Sequence, residues 1–503
     1  MPIDPHTPVI VGIGQVVNRP VLDDASTSAE PLSLMADALR LAGEDASGMP
    51  GQRSALLDRI DEMSAVPSFV WHVNDPALAV STILGIRPAS TRVAYAGGTT
   101  PQTMLFDAAR RIAAGELDVA AIVGAEAMRS RDLARRRGER AEWATQPQDV
   151  APAPVYGEVP DAMSDHERTL GMAIPVHTYA LFEHALRRAR GLSRTEHERS
   201  LGRLASRMSE VAATNELAWI RDRRSAESIT TPSPQNRMVS LPYTKLLTSN
   251  VVVDMGAALL VCSLEAARSA GVPDDRLVFP LEGAVAREQW LVSQRAELSQ
   301  SLAMRACAQR LFGEGVTGAD ELASLDLYSC FPAVVQMAGD ALGIDVRTDP
   351  RAPSVTGGMT FFGGPGNNYV THSLATMAAA LRSSPGTRGL VTGLGWYCST
   401  HAWGTYSTTP PQEGFRLHDV QADVDVAPLR AVADDYEGRG EVESYTVVHD
   451  RDGIAQRAIV SILTPSGSRR LASTEHRDEI AGFIELDPLG ASASVSGSSV
   501  RIS

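Results

Sequence analysis

The residues able to do chemistry in this chain sit at turns between regular elements. The turn Gly97-Gly98-Thr99-Thr100-Pro101-Gln102 opens a helix in which Met104, Leu105, Ala108, Ala109 and Ile112 recur at period 3.6. Backbone N–H groups and the helix dipole favour a nucleophile or an anion at such a terminus. The other candidate nucleophiles are four cysteines, Cys262, Cys307, Cys330 and Cys398, which lie far apart with no CxxC pair. They read as reduced thiols of a cytoplasmic protein, not as disulfides or a zinc site. Gly12-x-Gly14 lacks the third glycine and the acidic residue of a dinucleotide fingerprint.

The elements around the turn follow from periodicity. A β-rich run, Thr91 to Ala96, leads in, Gly115 ends the helix, and Val119 to Gly124 is apolar throughout, like a strand buried on both faces. Strand, turn, helix and strand make one right-handed βαβ unit. Strands are expected also at Pro8 to Gly14 and Ile60 to Val66, and helices at Leu32 to Ala42 and Ala77 to Leu84. A second unit follows the same plan: Gly357 to Asn368 leads into a helix, Tyr369 to Leu381, and then a buried strand, Gly389 to Gly395. Gly98 to Gly124 is 124 − 98 = 26 residues and Gly364 to Gly393 is 393 − 364 = 29, which suggests a duplicated α/β fold.

The whole chain has 503 residues, more than one core usually serves. Its 46 basic and 60 acidic side chains give a net charge of −14, so no global basic surface invites nucleic acid or an anionic membrane. No secretory signal and no membrane span are expected. Between the two units, Arg129, Arg131, Arg135, Arg136, Arg137 and Arg140 form a basic cluster. A Pro-rich segment follows, then two amphipathic helices, Thr178 to Arg190 and Thr195 to Ala213, with Ser193 as N-cap of the second. After a linker, Thr408 to Gly414, the pattern turns all-β. Val442 to Val448 and Ala455 to Thr464 flank a hairpin signal, and further strands are expected at Arg469 to Ser473, Gly482 to Leu486 and Val500 to Ile502.

These features resemble the thiolase superfamily, in particular its sterol-carrier-type and thiolase-like branch, whose members are acetyl-CoA acetyltransferase-like. In thiolases the first unit reads Cys-Ala-Ser-Gly, a helix, Gly-x-x-Asp-Val, a buried strand and Gly-x-Glu-x-Met. This chain has Gly115-Glu116-Leu117-Asp118-Val119 and Gly124-Ala125-Glu126-Ala127-Met128. The resemblance implies a duplicated five-layered αβαβα fold. Its N-terminal half would comprise 1–128 plus 249–275, a helical insertion 129–248, and its C-terminal half 276–407. An added small β-barrel of OB type would occupy 415–503. It also implies a homodimer, with a monomer open because of the added domain. The expected ligand is an acyl-CoA or a lipid, with CoA as the possible small-molecule partner and no tightly bound cofactor or metal.

The resemblance breaks at the chemistry. A thiolase uses a nucleophilic Cys, a His that activates it, a second Cys and an Asn-held water. The matching positions here are Gly98, Gly364, Gly393 and Tyr328. Three readings follow. Cys330, Cys398 and His401 lie on or beside the matching loops and would form a new Cys–His pair, although free cysteines are often only small buried hydrophobes. Alternatively Tyr328, in the place of the Asn, would serve a retro-aldol cleavage of a β-hydroxyacyl-CoA by moving a proton at the β-hydroxyl, or it is a packing tyrosine. In the third reading catalysis is absent and the frame binds an acyl-CoA, a lipid or a protein. Ligand contacts are expected from Met172 and His177, which match a pantetheine-side segment loosely, from Arg223, Arg224 and the Arg129 to Arg140 cluster toward phosphates, and from Asn367. A solvated helix face accounts for most of these arginines equally well.

Overall fold

The computed structural model describes residues 3–158 and 160–502. Two sheets carry the architecture. The first has six strands in the order Pro8–Asn18, Asp254–Ser263, Val119–Ala127, Glu62–Ala65, Ser90–Ala94 and Val155–Tyr156. Asp254–Ser263 runs antiparallel to both its neighbours and is buried along its whole length, which explains its unbroken apolar run. The second sheet has five strands in the order Leu322–Asp326, Arg388–Gly395, Thr400–Ser407, Phe279–Arg287 and Arg416–Asp419.

Helices Thr100–Ala113 and Tyr369–Ser383 each touch strands of both sheets, so they form the central layer. Helix Pro31–Ser47 covers the outer face of the first sheet, Leu302–Phe312 covers the second, and Pro332–Leu342 packs against Leu302–Phe312. The result is the five-layered, duplicated thiolase fold, with the ends of the two central helices facing one site. Both helices are nearly free of charge on their buried faces, as a helix packed between two sheets requires.

The insertion is dominated by helices Pro175–Ala189 and Arg194–Thr214. Ser193 caps the second through a capping box with Glu196, as its sequence predicts. One piece of the insertion, Val155–Tyr156, pairs in parallel with Ser90–Ala94 and covers the outer edge of the first sheet.

The added C-terminal region differs from its expected outline in three places. Its first strand, Arg416–Asp419, pairs with Phe279–Arg287 of the second sheet, so the separate β unit begins after it and not at residue 415. Gly482 to Leu486, expected as a strand, lies in and just beyond helix Arg477–Glu485, where Ile480 and Phe483 face inward at helical spacing. Ser492–Ser496 adds a strand that its serine-rich sequence hides. The sheet runs Arg469–Thr474, Ala455–Leu463, Gly438–His449, Ser492–Ser496 and Ser499–Ile502, with the helix between its third and fourth strands in chain order. Its two end strands approach one another, so the sheet curls into a small barrel.

This unit is fastened to the rest by buried charge. Arg469 grips Glu443 through two bonds of 2.7 and 2.6 Å and donates to the Ser293 carbonyl at 3.0 Å. Arg187 of the insertion, almost wholly buried, pairs with Asp487. Met238–Ser240 joins the same sheet by pairing Ser240 with Val448.

Candidate functional site

The Gly97–Gly98 turn lies at the N-terminus of the central helix Thr100–Ala113, with Pro101 in its first turn. A Cβ placed on Gly98 would overlap the Tyr328 hydroxyl and the Leu394 carbonyl oxygen and would lie 2.9 Å from Tyr328 Cζ. Glycine is required here by close approach, and the phenol fills the space that a nucleophile's side chain would need. Tyr328 is held from two sides. Its N–H donates to Thr392 Oγ1 at 2.8 Å, and its ring stands edge-on to Tyr369 at 5.7 Å. Tyr369 in turn donates to the buried Asp326 at 3.1 Å.

The other template glycines are crowded too. A Cβ on Gly364 would overlap Ser249 Oγ and meet Met359 Cε at 3.3 Å. On Gly393 it would lie 3.3 Å from Thr99 Cα and 3.4 Å from the Ala402 carbonyl oxygen.

Beside this turn opens a cavity of about 490 Å³. Its walls come from Ala96, Ala173 to Val176, Val239, Phe331, Met359 and Leu394, and none of its lining residues is charged. Phe69, Ile174, Val251 and Trp396 at its mouth expose about half of their surface, at 53%, 56%, 46% and 41%. Polar groups are few: Tyr328, Cys330, Ser249, Thr248 and Asn367 among them. The size and the apolar walls suit a small-molecule ligand.

Electrostatics decide what these groups do. Burial, then the neighbouring Cys330 and Tyr369, push the Tyr328 phenol well above its ordinary range, so it stays protonated and acts as a donor. Burial likewise pushes the Cys330 thiol up, far from the thiolate that nucleophilic attack needs. Cys398 and His401 do come together, with Sγ 3.8 Å from Nε2. They do not form an activated pair. Burial raises Cys398 to about 12 and lowers His401. His401 Nε2 lies 3.2 Å from the Cys398 carbonyl oxygen, which can only accept, so that nitrogen carries a proton and cannot take one. Neither residue lines this cavity; His401 faces a separate crevice with Thr99 and Thr400.

The expected ligand contacts divide. Asn367 lines the cavity and donates to the Pro67 carbonyl at 3.0 Å. Met172 is fully buried and His177 is spent on the Gly171 carbonyl at 2.8 Å, its pKa lowered by burial. They brace the Ala173 to Val176 wall without lining the cavity themselves. Arg223 pairs with Glu210, and Arg224 with Asp222 at 3.3 Å; neither reaches the cavity. In the basic cluster Arg135 and Arg136 meet Asp132 at 3.2 and 2.8 Å, and Arg137 meets Glu139 at 2.7 Å.

Two cavity-lining residues, Ser249 and Trp396, have no clear signal in the sequence. Ser249 comes from the return segment after the insertion. Trp396, with φ +57°, and Cys398, with φ +60°, bracket a strained turn after the last strand of the unit. Glu126, buried behind the mouth against Gly366, accepts from Ser68 Oγ at 2.9 Å and from the Phe69 N–H at 2.6 Å. Desolvation raises it to about 7 against these bonds and Arg131.

Comparisons with known proteins agree with this frame. A family profile described as the thiolase-like protein type 1 additional C-terminal domain matches residues 419–498. A monomeric SCP2-thiolase like protein type 1 from Mycobacterium smegmatis is similar over 100% of both chains, at 29% identity and a TM-score of 0.82. The Ltp2-ChsH2(DUF35) aldolase, at 19% identity, is similar over 80% of this chain and 98% of its own, with a TM-score of 0.56. The dimeric peroxisomal thiolase of Saccharomyces cerevisiae, at 15% identity, is similar over 81% of this chain and 98% of its own, with a TM-score of 0.54. These last two share the fold. A sequence comparison with curated proteins returns no match.

Proposed function

Because the chain belongs to the thiolase superfamily, in its sterol-carrier-type branch, we propose that it serves acyl-CoA or lipid metabolism by holding an acyl group in the apolar cavity, without thiolase chemistry. The observation that carries this reading is the overlap at Gly98, where the Tyr328 hydroxyl takes the room of a nucleophile. Thiolysis and Claisen condensation both pass through an acyl group on a thiolate, and no cavity-lining thiol is poised to ionise. CoA or an acyl-CoA is the ligand in this reading, the protein works in the cytoplasm, and no cofactor is held tightly.

A second reading is retro-aldol cleavage of a β-hydroxyacyl-CoA. It is favoured by Tyr328 on the cavity wall and by the likeness to an aldolase. The raised pKa of Tyr328 opposes its acting as the base at the β-hydroxyl and leaves it the part of proton donor. Binding is therefore the better supported of the two.

Calorimetric titration with CoA and with short and long acyl-CoA tests the first reading, alongside turnover assays on the same panel. Saturable binding of an acyl-CoA with no thiolysis is the expected result. Absence of binding to every member of the panel would overturn it. Aldol cleavage that is abolished in Tyr328→Phe, with binding retained, would establish the second reading.

A further inference from the structure

We infer that Glu126 positions the Phe69 wall of the cavity, so that the grip on a bound ligand weakens as the Glu126 carboxyl ionises. This inference rests on the cavity being a ligand site, as proposed above. Glu126 belongs to the Gly124-Ala125-Glu126-Ala127-Met128 motif at the end of strand Val119–Ala127. It is almost wholly buried and does not line the cavity itself. Phe69, Gly366 and Asn367, which do line it, are packed or bonded around this carboxyl.

The wall segment has little else to hold it. At one end the Val66 N–H donates to the Val123 carbonyl at 2.8 Å, and at the other Trp71 Nε1 donates to the Ala144 carbonyl at 2.7 Å. Between them, residues 67–70 make no backbone–backbone bond with other described residues. Glu126 supplies the missing bonds: Oε2 accepts from Ser68 Oγ at 2.9 Å and Oε1 from the Phe69 N–H at 2.6 Å. Ser68 Oγ accepts in turn from the Val70 N–H at 3.2 Å, and Asn367 Nδ2 donates to the Pro67 carbonyl at 3.0 Å. A Cβ on Gly366 would overlap Glu126 Oε1 and lie 2.8 Å from Phe69 Cδ2, so the carboxyl and the ring close on the same glycine.

The direction follows from what surrounds the carboxyl. Burial, the largest influence, raises it to about 7 against the bonds from Phe69, Ser68 and Val70 and the charge of Arg131. A wall segment that swings out lets water reach the carboxyl, whose affinity for a proton then drops toward that of a free glutamate. The closed wall holds a proton that the open wall releases, so rising pH favours the open wall. Helix Met128–Arg136 brings Arg131 toward Glu126, strand Asp254–Ser263 opposes it with Met255, and the turn Gly366–Asn368 brings only uncharged side chains. The wall segment runs on to an exposed imidazole, His72. The cavity-lining Tyr179, Tyr328, Tyr397 and Cys330 are all pushed up by burial and stay neutral across the same range.

The test measures binding of S-decanoylpantetheine, an uncharged thioester, by calorimetry from about pH 5.5 to about pH 8. Wild type, Glu126→Gln, Phe69→Ala and His72→Gln are compared, with thermal melting to verify folding. Wild-type affinity should fall at least about threefold across the range, with protons taken up on binding, as read in buffers of different ionisation enthalpy. Glu126→Gln, which keeps the shape of the protonated carboxyl, should bind as the wild type does at the acid end and stay constant. His72→Gln should keep the wild-type profile, and Phe69→Ala should bind more weakly at the acid end. Hydrogen exchange of the ligand-free wild type keeps the inference testable if a variant fails to fold: protection of the Phe69 amide, corrected for the intrinsic rate, should drop across the range. A flat wild-type profile, a slope that persists in Glu126→Gln or vanishes in His72→Gln, affinity untouched by Phe69→Ala, or unchanged protection overturns the inference while leaving the cavity as a ligand site. No binding at any pH overturns that earlier reading, and the inference with it.

Discussion

Tyr179 donates its hydroxyl proton to the Trp396 carbonyl at 2.7 Å and accepts the Cys398 N–H at 2.9 Å, so one side chain closes the turn that forms the cavity rim. Trp396 and Cys398 both have left-handed backbone, which costs non-glycine residues of order 1 kcal/mol or more each. Tyr179 belongs to the insertion helix and stacks on Phe331 at 4.5 Å, so the insertion holds a strained loop of the thiolase frame in place. Tyr179→Phe keeps the stacking and removes both bonds. It should lower unfolding free energy by about 1–3 kcal/mol in urea titrations and loosen the rim, seen as faster quenching of tryptophan fluorescence. Unchanged stability would mean that the turn stands without the clamp.

Restoring the missing nucleophile should fail. Gly98→Cys would press its Cβ on the Tyr328 ring and on the Leu394 carbonyl, which is backbone and cannot rotate away. A loss of about 1–3 kcal/mol in stability is expected, with no thiolysis of acetoacetyl-CoA. Gly98→Cys combined with Tyr328→Ala relieves the ring but not the carbonyl, and should remain less stable than Tyr328→Ala alone. Thiolase turnover in either protein would contradict this account.

Glu126 makes stability depend on pH in a definite direction. Its carboxyl titrates near 4.5 when unfolded and at about 7 when folded, so between these values the folded protein holds a proton that the unfolded chain has released. Stability therefore falls as pH rises through that window, by about 3 kcal/mol in all. Glu126→Gln removes this dependence. Relative to the wild type, the variant should gain stability on passing from about pH 5 to about pH 8, read from urea midpoints. A constant difference between the two proteins would show that Glu126 titrates normally.

The first sheet's outer edge should not be free for a second copy. Val155–Tyr156 pairs with Ser90–Ala94 on the side where sheet edges would otherwise join. Light scattering should report a single species of 53.6 kDa over a wide concentration range. A species of twice that mass would show that another surface associates.

Arg469 and Glu443 form the buried pair under the C-terminal sheet. Arg469→Ala should cost about 3–5 kcal/mol, because Glu443 is then left charged and unpaired. Adding Glu443→Leu should recover most of that loss, and thermal melting of the two variants distinguishes a paired charge from simple packing.

The α/β frame was legible because its signals are local: the apolar run Val119 to Gly124, the period of Met104 to Ile112, and the cap at Ser193. The absence of thiolase side chains at Gly98 and Gly364 was legible too. What replaced them was not, since Ser249 and Tyr328 are far apart in sequence and meet those glycines only in three dimensions. The Cys398–His401 spacing suggested a reactive pair; the residues do meet, but burial and the Cys398 carbonyl leave both neutral. Arg223 and Arg224 read as free cations until Glu210 and Asp222 are seen beside them. At Gly482 to Leu486 a short apolar stretch fits either period, and tertiary packing chose the helix.

The pairing of Ser240 with Val448 also sets an order of events during synthesis. The partners are 448 − 240 = 208 residues apart, so the insertion leaves the ribosome long before the strand it joins. At about 5–20 residues per second that interval is roughly 10–40 s. Through it the nascent chain must keep Ser240 without Val448 and Arg187 without Asp487, the period in which a chaperone has most to do.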